Sequence, residues 1–178
     1  PLHCAETPYI ARLLLEAYPE GVKQTDEDGN IPLHIAVKNN LPDVARLLLE
    51  AYPDGAKAKE YYGRLPLHTA KSADIARLLL EAYPEGVKQA DSDKKLPLHD
   101  AKTADITRLL LEAYPEGVKQ TDEDGNFPLH IAVKKNLPDI VRLLLEAYPE
   151  GVKQADSDKK LPLHNAQTVD IARLLLEA

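Results

Sequence analysis

Two short motifs alternate along the whole chain at nearly constant spacing. The first, Pro-Leu-His, occurs six times, and its copies begin at Pro1, Pro32, Pro66, Pro97, Pro128 and Pro162. The second, Arg-Leu-Leu-Leu-Glu-Ala, also occurs six times, and 14 residues separate each of its first five copies from the next Pro-Leu-His. The period of 31 or 34 residues is typical of repeat proteins, in which each unit packs only against its neighbours. We therefore expect a stack of similar units.

Each unit has the pattern of two short helices. Proline opens the first motif, where its missing N–H is harmless and its fixed φ suits the first helical position. A hydroxyl residue that can serve as an N-cap precedes the second motif in four units, at Thr7, Ser72, Thr103 and Thr168. Within the second motif, apolar residues recur at i, i+3, i+4 and i+7, as from Ile75 to Ala82. Neither helix can bury its apolar face alone, so the units must stack.

Length varies only between the two motifs of a unit. The units that begin at Pro1, Pro66, Pro97 and Pro162 are three residues shorter there than the other two. Three residues are close to one helical turn, so we expect a very short first helix in these units. The predicted helix pairs cover residues 1–17, 32–51, 66–82, 97–113, 128–147 and 162–178. They form a single array over residues 1–178. Because neither terminal unit carries a polar cap, we expect this array to be a fragment of a longer one.

The loops between units contain turn signals, such as Asp28-Gly29 and Asp124-Gly125. The segment that starts there, DGNIPLHIAVKNNLPDVARLLLEA, resembles the ankyrin repeat, and the resemblance extends over the whole chain. It implies an all-α repeat solenoid, an ankyrin-like stack of helix-turn-helix units joined by hairpin-like loops. The chain differs from the usual ankyrin pattern at the residue before Pro-Leu-His. The family usually has Thr at this position, whereas this chain has a large apolar residue, as at Ile31. A second difference is the longer AYPEGVKQ turn.

No cluster of residues suggests catalysis, a metal or a cofactor. All histidines lie in the first motif, at His3, His34, His68, His99, His130 and His164. Equivalent side chains in neighbouring units are about 8–10 Å apart and point the same way, so they cannot converge on one ion. We expect them to join units by hydrogen bonds instead. The acidic loops do not fit a calcium loop, because Gln24 and Ile35 would occupy ligand positions, and we expect solvated turns. We predict no enzymatic activity.

The loop between the second and third units differs from the other four. It reads KEYYGR, with a charge of +1, where the others read TDEDGN (−3) or ADSDKK (neutral). Gly63 aligns with Gly29, so we expect the turn itself to be retained. Tyrosine and arginine are enriched at binding hot spots. From this loop we predict partner contacts at Lys59, Glu60, Tyr61, Tyr62 and Arg64. The alternative is that the loop has simply drifted.

Residues that vary after the first motif complete the predicted site. The resemblance implies that partners bind a concave face built from loop tips and first helices. On the first helices we therefore predict partner contacts at Ile35, Lys71, Asp100 and Ile131. The five tyrosines that follow the second motif repeat without change, and we expect them to pack between units.

The function that this pattern favours is a non-catalytic protein–protein interaction module with no small-molecule substrate. The alternatives are a structural spacer or scaffold subunit in a large assembly, and the regulatory ankyrin segment of a longer protein. The net charge of −7 argues against nucleic acid, and no apolar run is long enough for membrane insertion. One cysteine, Cys4, precludes an internal disulfide and fits an intracellular, cytoplasmic location.

Overall fold

The computed structural model describes residues 1–178 and contains eight α-helices and no β-strand. They are α1 (Pro8–Ala17), α2 (Pro32–Lys38), α3 (Pro42–Ala51), α4 (Ala73–Ala82), α5 (Ala104–Ala113), α6 (Pro128–Lys134), α7 (Pro138–Ala147) and α8 (Val169–Leu176). We number the repeats 1 to 6 from the six Pro-Leu-His motifs. The all-helical repeat solenoid expected from the sequence is confirmed. None of these helices has both the length and the apolar character that a membrane span requires.

The first element of a repeat depends on the length of that repeat. The two long repeats begin with the seven-residue helices α2 and α6, which lead into Asn40 and Asn136 at positive φ of 56° and 54°. Asparagine tolerates this conformation, which commonly ends helices. The four short repeats lack room for that ending. Each has instead one 3₁₀ turn, at Leu2–Cys4, Pro66–Thr69, Pro97–Asp100 or Pro162–Asn165.

The second helix begins after a hydroxyl residue in the four short repeats and after Leu41 or Leu137 in the two long repeats. Thr7, Thr103 and Thr168 each accept a hydrogen bond from a backbone N–H three residues later, as the sequence predicts for an N-cap. Ser72 occupies the predicted N-cap position of α4, but its hydroxyl is buried without a hydrogen-bond partner and makes no capping bond. In the first five repeats a tyrosine follows the helix, and a 3₁₀ turn of sequence Pro-x-Gly-x-Lys comes next, such as Pro84–Lys88.

The apolar side chains form one continuous core of 33 buried residues that extends from Leu2 to Leu175. The central leucine of the second motif is almost fully buried in the inner repeats, at Leu48, Leu79, Leu110 and Leu144. Since every repeat contributes to this cluster, no repeat has a separate core. Each repeat is therefore stabilised by the interfaces with its neighbours.

Candidate protein-interaction surface

Five turns, which we call tips 1 to 5, connect consecutive repeats. They cover residues 25–30, 59–64, 90–95, 121–126 and 155–160. In tip 1 the Asp26 N–H donates to the Asn30 carbonyl at 3.0 Å. The Asp26 carboxylate accepts from the backbone N–H groups of Asp28 (3.0 Å) and Asn30 (2.8 Å). The same side-chain bonds recur at Glu60, Asp91, Asp122 and Asp156. The expectation of simply solvated acidic turns is therefore wrong for this residue, which holds each tip together.

The pKa values of two of these carboxylates reflect that role. Burial alone would raise the pKa of Asp26, but hydrogen bonds from Asn30 and Asp28 outweigh it and lower the pKa. Burial would also raise the pKa of Asp156, but backbone hydrogen bonds from Lys160 and Asp158 and the electrostatic interaction with His130 lower it. A carboxylate that accepts several N–H bonds is stabilised in its charged form.

Neighbouring tips are joined to each other by single backbone hydrogen bonds. The donor–acceptor pairs are Tyr61 N to Asp28 O, Ser92 N to Tyr62 O, Glu123 N to Asp93 O, and Ser157 N to Asp124 O, at 2.9–3.1 Å. The tips therefore form a continuous ridge along the array. We call this ridge, together with the first elements of the repeats, the inner surface.

Close approach of the tips explains the glycine in three of them. Gly29, Gly63 and Gly125 have φ of 80°, 73° and 75°, a region that glycine enters without steric cost. A Cβ atom on Gly29 would also lie 2.6 Å from the ring of Tyr61 in the next tip. Tips 3 and 5 place Lys94 and Lys159 at this position, with φ of 59° and 62°.

Tip 2 keeps the common turn although its sequence has diverged. Glu60 N donates to Arg64 O at 3.1 Å, and Gly63 N to Glu60 O at 2.9 Å, as in the other tips. The prediction that the turn is retained is confirmed. Tyr61 and Tyr62 are 74% and 61% exposed, and the Arg64 guanidinium lies 5.1 Å from the Tyr62 ring.

Not every residue predicted in tip 2 is available to a partner. Lys59 is exposed and its Nζ donates to Ala90 O of tip 3 at 3.3 Å. Glu60, by contrast, is only 6% exposed, because its carboxylate turns inward to bind the N–H groups of Tyr62 and Arg64. The prediction of a partner contact at Glu60 is therefore corrected to a structural role within the tip.

Of the other predicted residues, Ile35, Asp100 and Ile131 lie on the first elements of repeats 2, 4 and 5, and Lys71 follows the first element of repeat 3. Ile35 and Ile131 are half-buried at equivalent positions of α2 and α6, and two repeats separate them, so they do not share a pocket. Lys71 is exposed and forms no ion pair, whereas the half-buried Asp100 lies 3.7 Å from Lys135 Nζ. Sequence reasoning did not include Lys135.

Four of the six histidines join neighbouring repeats, as the sequence predicts. His34 Nδ1 accepts from Ile31 N at 3.3 Å, and its Nε2–H donates to Arg64 O of the next tip at 3.3 Å. Three further histidines contact the equivalent carbonyl: His3 to Asn30 (2.8 Å), His68 to Lys95 (3.1 Å) and His130 to Lys160 (3.1 Å). His99 and His164 are exceptions, since the buried Nε2 of His99 has no partner and His164 bonds only to Leu161. No group of side chains is arranged to hold a metal ion.

A lysine stacks over each inner tyrosine of the column that follows the second helices. The ammonium-to-ring distances are 5.7–5.8 Å for Lys23 over Tyr52, Lys57 over Tyr83, Lys88 over Tyr114 and Lys119 over Tyr148. These four tyrosines also pack against the core, which confirms the predicted packing between repeats. The lysines were missed, although the constant five-residue spacing from tyrosine to lysine was visible in the sequence.

The comparisons with known proteins agree with this architecture. A family model for ankyrin repeats (3 copies) matches residues 2–93 and again residues 98–178. The two matches correspond to two blocks of three repeats, because residues 1–82 align without gaps to residues 97–178. A search of curated proteins finds no match. Since the family model covers nearly the whole chain, the protein belongs to the ankyrin repeat family.

Proposed function

We propose that the protein is a non-catalytic interaction module that binds another protein through its inner surface, with tip 2 as the main contact. Ankyrin repeats are generally protein-interaction modules. The observation that carries the assignment of tip 2 is the pair of exposed tyrosines beside Arg64. Aromatic rings of this kind supply large contact areas at low entropic cost, and they are enriched at hot spots together with arginine.

The two tyrosine side chains are not required by the turn that carries them. Backbone atoms make the hydrogen bonds from Tyr61 to tip 1 and from Tyr62 to tip 3. Tip 1 forms the same turn with Glu27 and Asp28 at the equivalent positions. Because the turn forms without these rings, their exposure on the surface favours a role in binding.

A double substitution tests the proposal. The array is used as bait to isolate a partner, whose affinity is then measured by calorimetry for the wild type and for Tyr61→Ala/Tyr62→Ala. We expect the substitution to weaken binding at least tenfold, because two hot-spot rings are removed. The midpoint of thermal unfolding should change by no more than about 4 °C, since an exposed pair contributes little to stability.

The matched control is Glu27→Ala/Asp28→Ala, which makes the same truncation at the equivalent positions of tip 1. This variant should bind the partner within twofold of the wild type. Equal affinities of the wild type and the tyrosine variant would refute the assignment of tip 2.

A further inference from the structure

The cationic side chains along the inner surface of repeats 2 to 5 include Arg64, Lys71, Lys102 and Lys135. Arg64 ends tip 2, Lys71 and Lys102 follow the first turns of repeats 3 and 4 at equivalent positions, and Lys135 follows α6 in repeat 5. We call these residues the basic cluster. Repeats 1 and 6 carry Glu6 and Gln167 at the position of Lys71 and Lys102, so this pair of cations is confined to repeats 3 and 4.

The members of the basic cluster share one electrostatic environment. Lys71 and Lys102 are related by one repeat, a spacing of about 10 Å between packed elements. Lys135 reaches back to within 3.7 Å of Asp100, which lies in the same repeat as Lys102. Desolvation, and then the positive charges of Lys71, Lys135 and Arg64, lower the pKa of Lys102, while Asp100 opposes them. The cations are thus close enough to repel one another.

The protein's own carboxylates pair with Lys135 and Arg64 but leave the other two members of the cluster, Lys71 and Lys102, unpaired. Asp100 pairs with Lys135, and Asp93 pairs with Lys95 at 2.9 Å. Glu60 is buried and lies 3.6 Å from Arg64 Nε. Lys71 and Lys102 form no ion pair, although the chain as a whole carries a net charge of −7. A concentration of unpaired positive charge on an acidic protein marks a surface that attracts an anionic partner.

The surroundings of the cluster favour a short acidic peptide over a nucleic acid. Tip 1 exposes Glu27 and Asp28, and tip 4 exposes Glu123 and Asp124. A phosphate backbone that continued along the ridge would meet these carboxylates and be repelled. A polypeptide can instead place its carboxylates at the cluster and uncharged residues elsewhere. Tyr61 and Tyr62 lie beside Arg64 and offer such residues an apolar contact.

The length of the cluster sets the length of that peptide. From tip 2 to the end of α6 the cluster spans three repeat spacings, or about 30 Å, at about 10 Å for each pair of packed elements. An extended chain advances about 3.3 Å per residue, so about nine residues cover this distance. Alternate side chains of such a chain point to the same side, so acidic residues at every second position would face the lysines.

We propose that the basic cluster binds an acidic, extended segment of a partner protein, about nine residues long, with Asp or Glu facing Lys71 and Lys102. This inference rests on the proposed function and names the chemistry of the partner that the inner surface selects. The two tyrosines of tip 2 contact uncharged residues at one end of the segment. Ion pairing with the segment relieves the repulsion between the lysines.

A binding assay with defined peptides tests the proposal. The probe is a fluorescein-labelled decapeptide of five Glu-Gly units, and the reference peptide contains Gln in place of Glu. Fluorescence anisotropy at low salt should detect binding of the acidic peptide alone. Affinity should fall steeply between 50 and 500 mM NaCl, because exposed charges are screened within a few ångströms at high salt. Equal binding of the two peptides would overturn the proposal.

Two charge-reversal variants locate the binding site. Lys71→Glu/Lys102→Glu should bind the acidic peptide at least tenfold more weakly. Arg77→Glu/Arg108→Glu, an equal change of net charge on exposed positions of α4 and α5, should bind within threefold of the wild type. Circular dichroism and urea midpoints establish that both variants fold. A similar loss in both variants, or no loss in the first, would refute the role of the basic cluster.

Three further outcomes distinguish a failure of this inference from a failure of the proposed function. If single-stranded oligonucleotides of ten nucleotides bind more tightly than the acidic peptide, and do so through Lys71 and Lys102, the assignment of a peptide ligand is wrong. If a partner protein depends on Tyr61 and Tyr62 but binds Lys71→Glu/Lys102→Glu normally, the inference fails and the proposed function stands. If the acidic peptide binds as described but no partner responds to the tyrosine substitutions, the assignment of tip 2 fails instead.

Discussion

At the scale of single residues, the imidazole of His34 illustrates how two repeats are joined. Its Nδ1 accepts a bond from its own repeat, so the proton lies on Nε2 and is donated to the next tip. Burial disfavours the charged form and lowers the pKa of His34 to about 4, although hydrogen bonding to Arg64 O opposes this effect. Burial also lowers the pKa values of His68, His99 and His130.

These pKa values predict that mild acid destabilises the array. In the unfolded chain a histidine has a pKa near 6.5, above its value in the fold, so the unfolded state binds more protons between about pH 6.5 and 4. Stability is complete above this window and decreases as the pH falls through it. His34 alone contributes about 3 kcal/mol to the loss, from 1.36 kcal/mol per pKa unit. The lowered carboxylate pKa values of Asp26 and Asp156 act only at lower pH.

Urea unfolding at pH 7.5, 6.0, 5.0 and 4.5 measures this dependence. His34→Gln should show a smaller change in the free energy of unfolding across the series than the wild type, since one titrating group is absent. His164→Gln is the control, because His164 is exposed and bonds only within its own repeat, and it should follow the wild-type profile. A stability that does not change between pH 7.5 and 4.5 would contradict the prediction.

At the scale of elements, the N-caps of the second helices make a direct comparison possible. Thr103 Oγ1 accepts from Ile106 N at 3.3 Å, whereas the Ser72 hydroxyl is buried without a partner. We expect Thr103→Ala to lower the free energy of unfolding by about 1 kcal/mol, the usual contribution of a cap. Ser72→Ala should be neutral or stabilising, because it removes an unsatisfied polar group. Chemical denaturation of the two variants measures both free energies of unfolding. Equal losses of stability would show that Ser72 also caps its helix.

The repeated elements could be predicted from the sequence because their signals are local. Proline at the first helical position, apolar spacing in the second motif and the missing three residues together indicate the helices and the shortened first elements. The missing capping bond of Ser72 could not be predicted, because the rotamer of a hydroxyl depends on packing and local sequence does not determine it. Gly63 was assigned correctly because a position at positive φ restricts the choice of residue.

The candidate site could be predicted only in part. Tyr61 and Tyr62 were identified by their departure from the repeat, which requires no knowledge of tertiary structure. Glu60 was misjudged, because a glutamate between a lysine and a tyrosine does not indicate whether its carboxylate turns inward. Lys135 was missed because its ion pair with Asp100 joins two residues that are 35 positions apart and lie in neighbouring repeats. Contacts between repeats depend on the stacking geometry and not on local patterns.

At the scale of the whole molecule, stability is distributed over the interfaces between repeats. The continuous core, the histidine bonds and the backbone bonds between tips all connect a repeat to its direct neighbours. In such an array the free energy of unfolding is approximately a sum of terms for repeats and for interfaces between nearest neighbours. The same substitution should therefore cost more in a repeat that has two neighbours.

The central leucine of the second motif allows this expectation to be tested with one chemical change. Leu110 is 1% exposed and lies on α5, which packs against α4 and α7, whereas its equivalent Leu14 is only half-buried. Leu110→Ala should lower the free energy of unfolding by about 3 kcal/mol, the usual cost of a cavity at a fully buried leucine. Leu14→Ala should cost about half as much, by the same relation between buried surface and stability. Urea unfolding followed by circular dichroism measures both, and equal costs would mean that interfaces between neighbouring repeats do not govern stability.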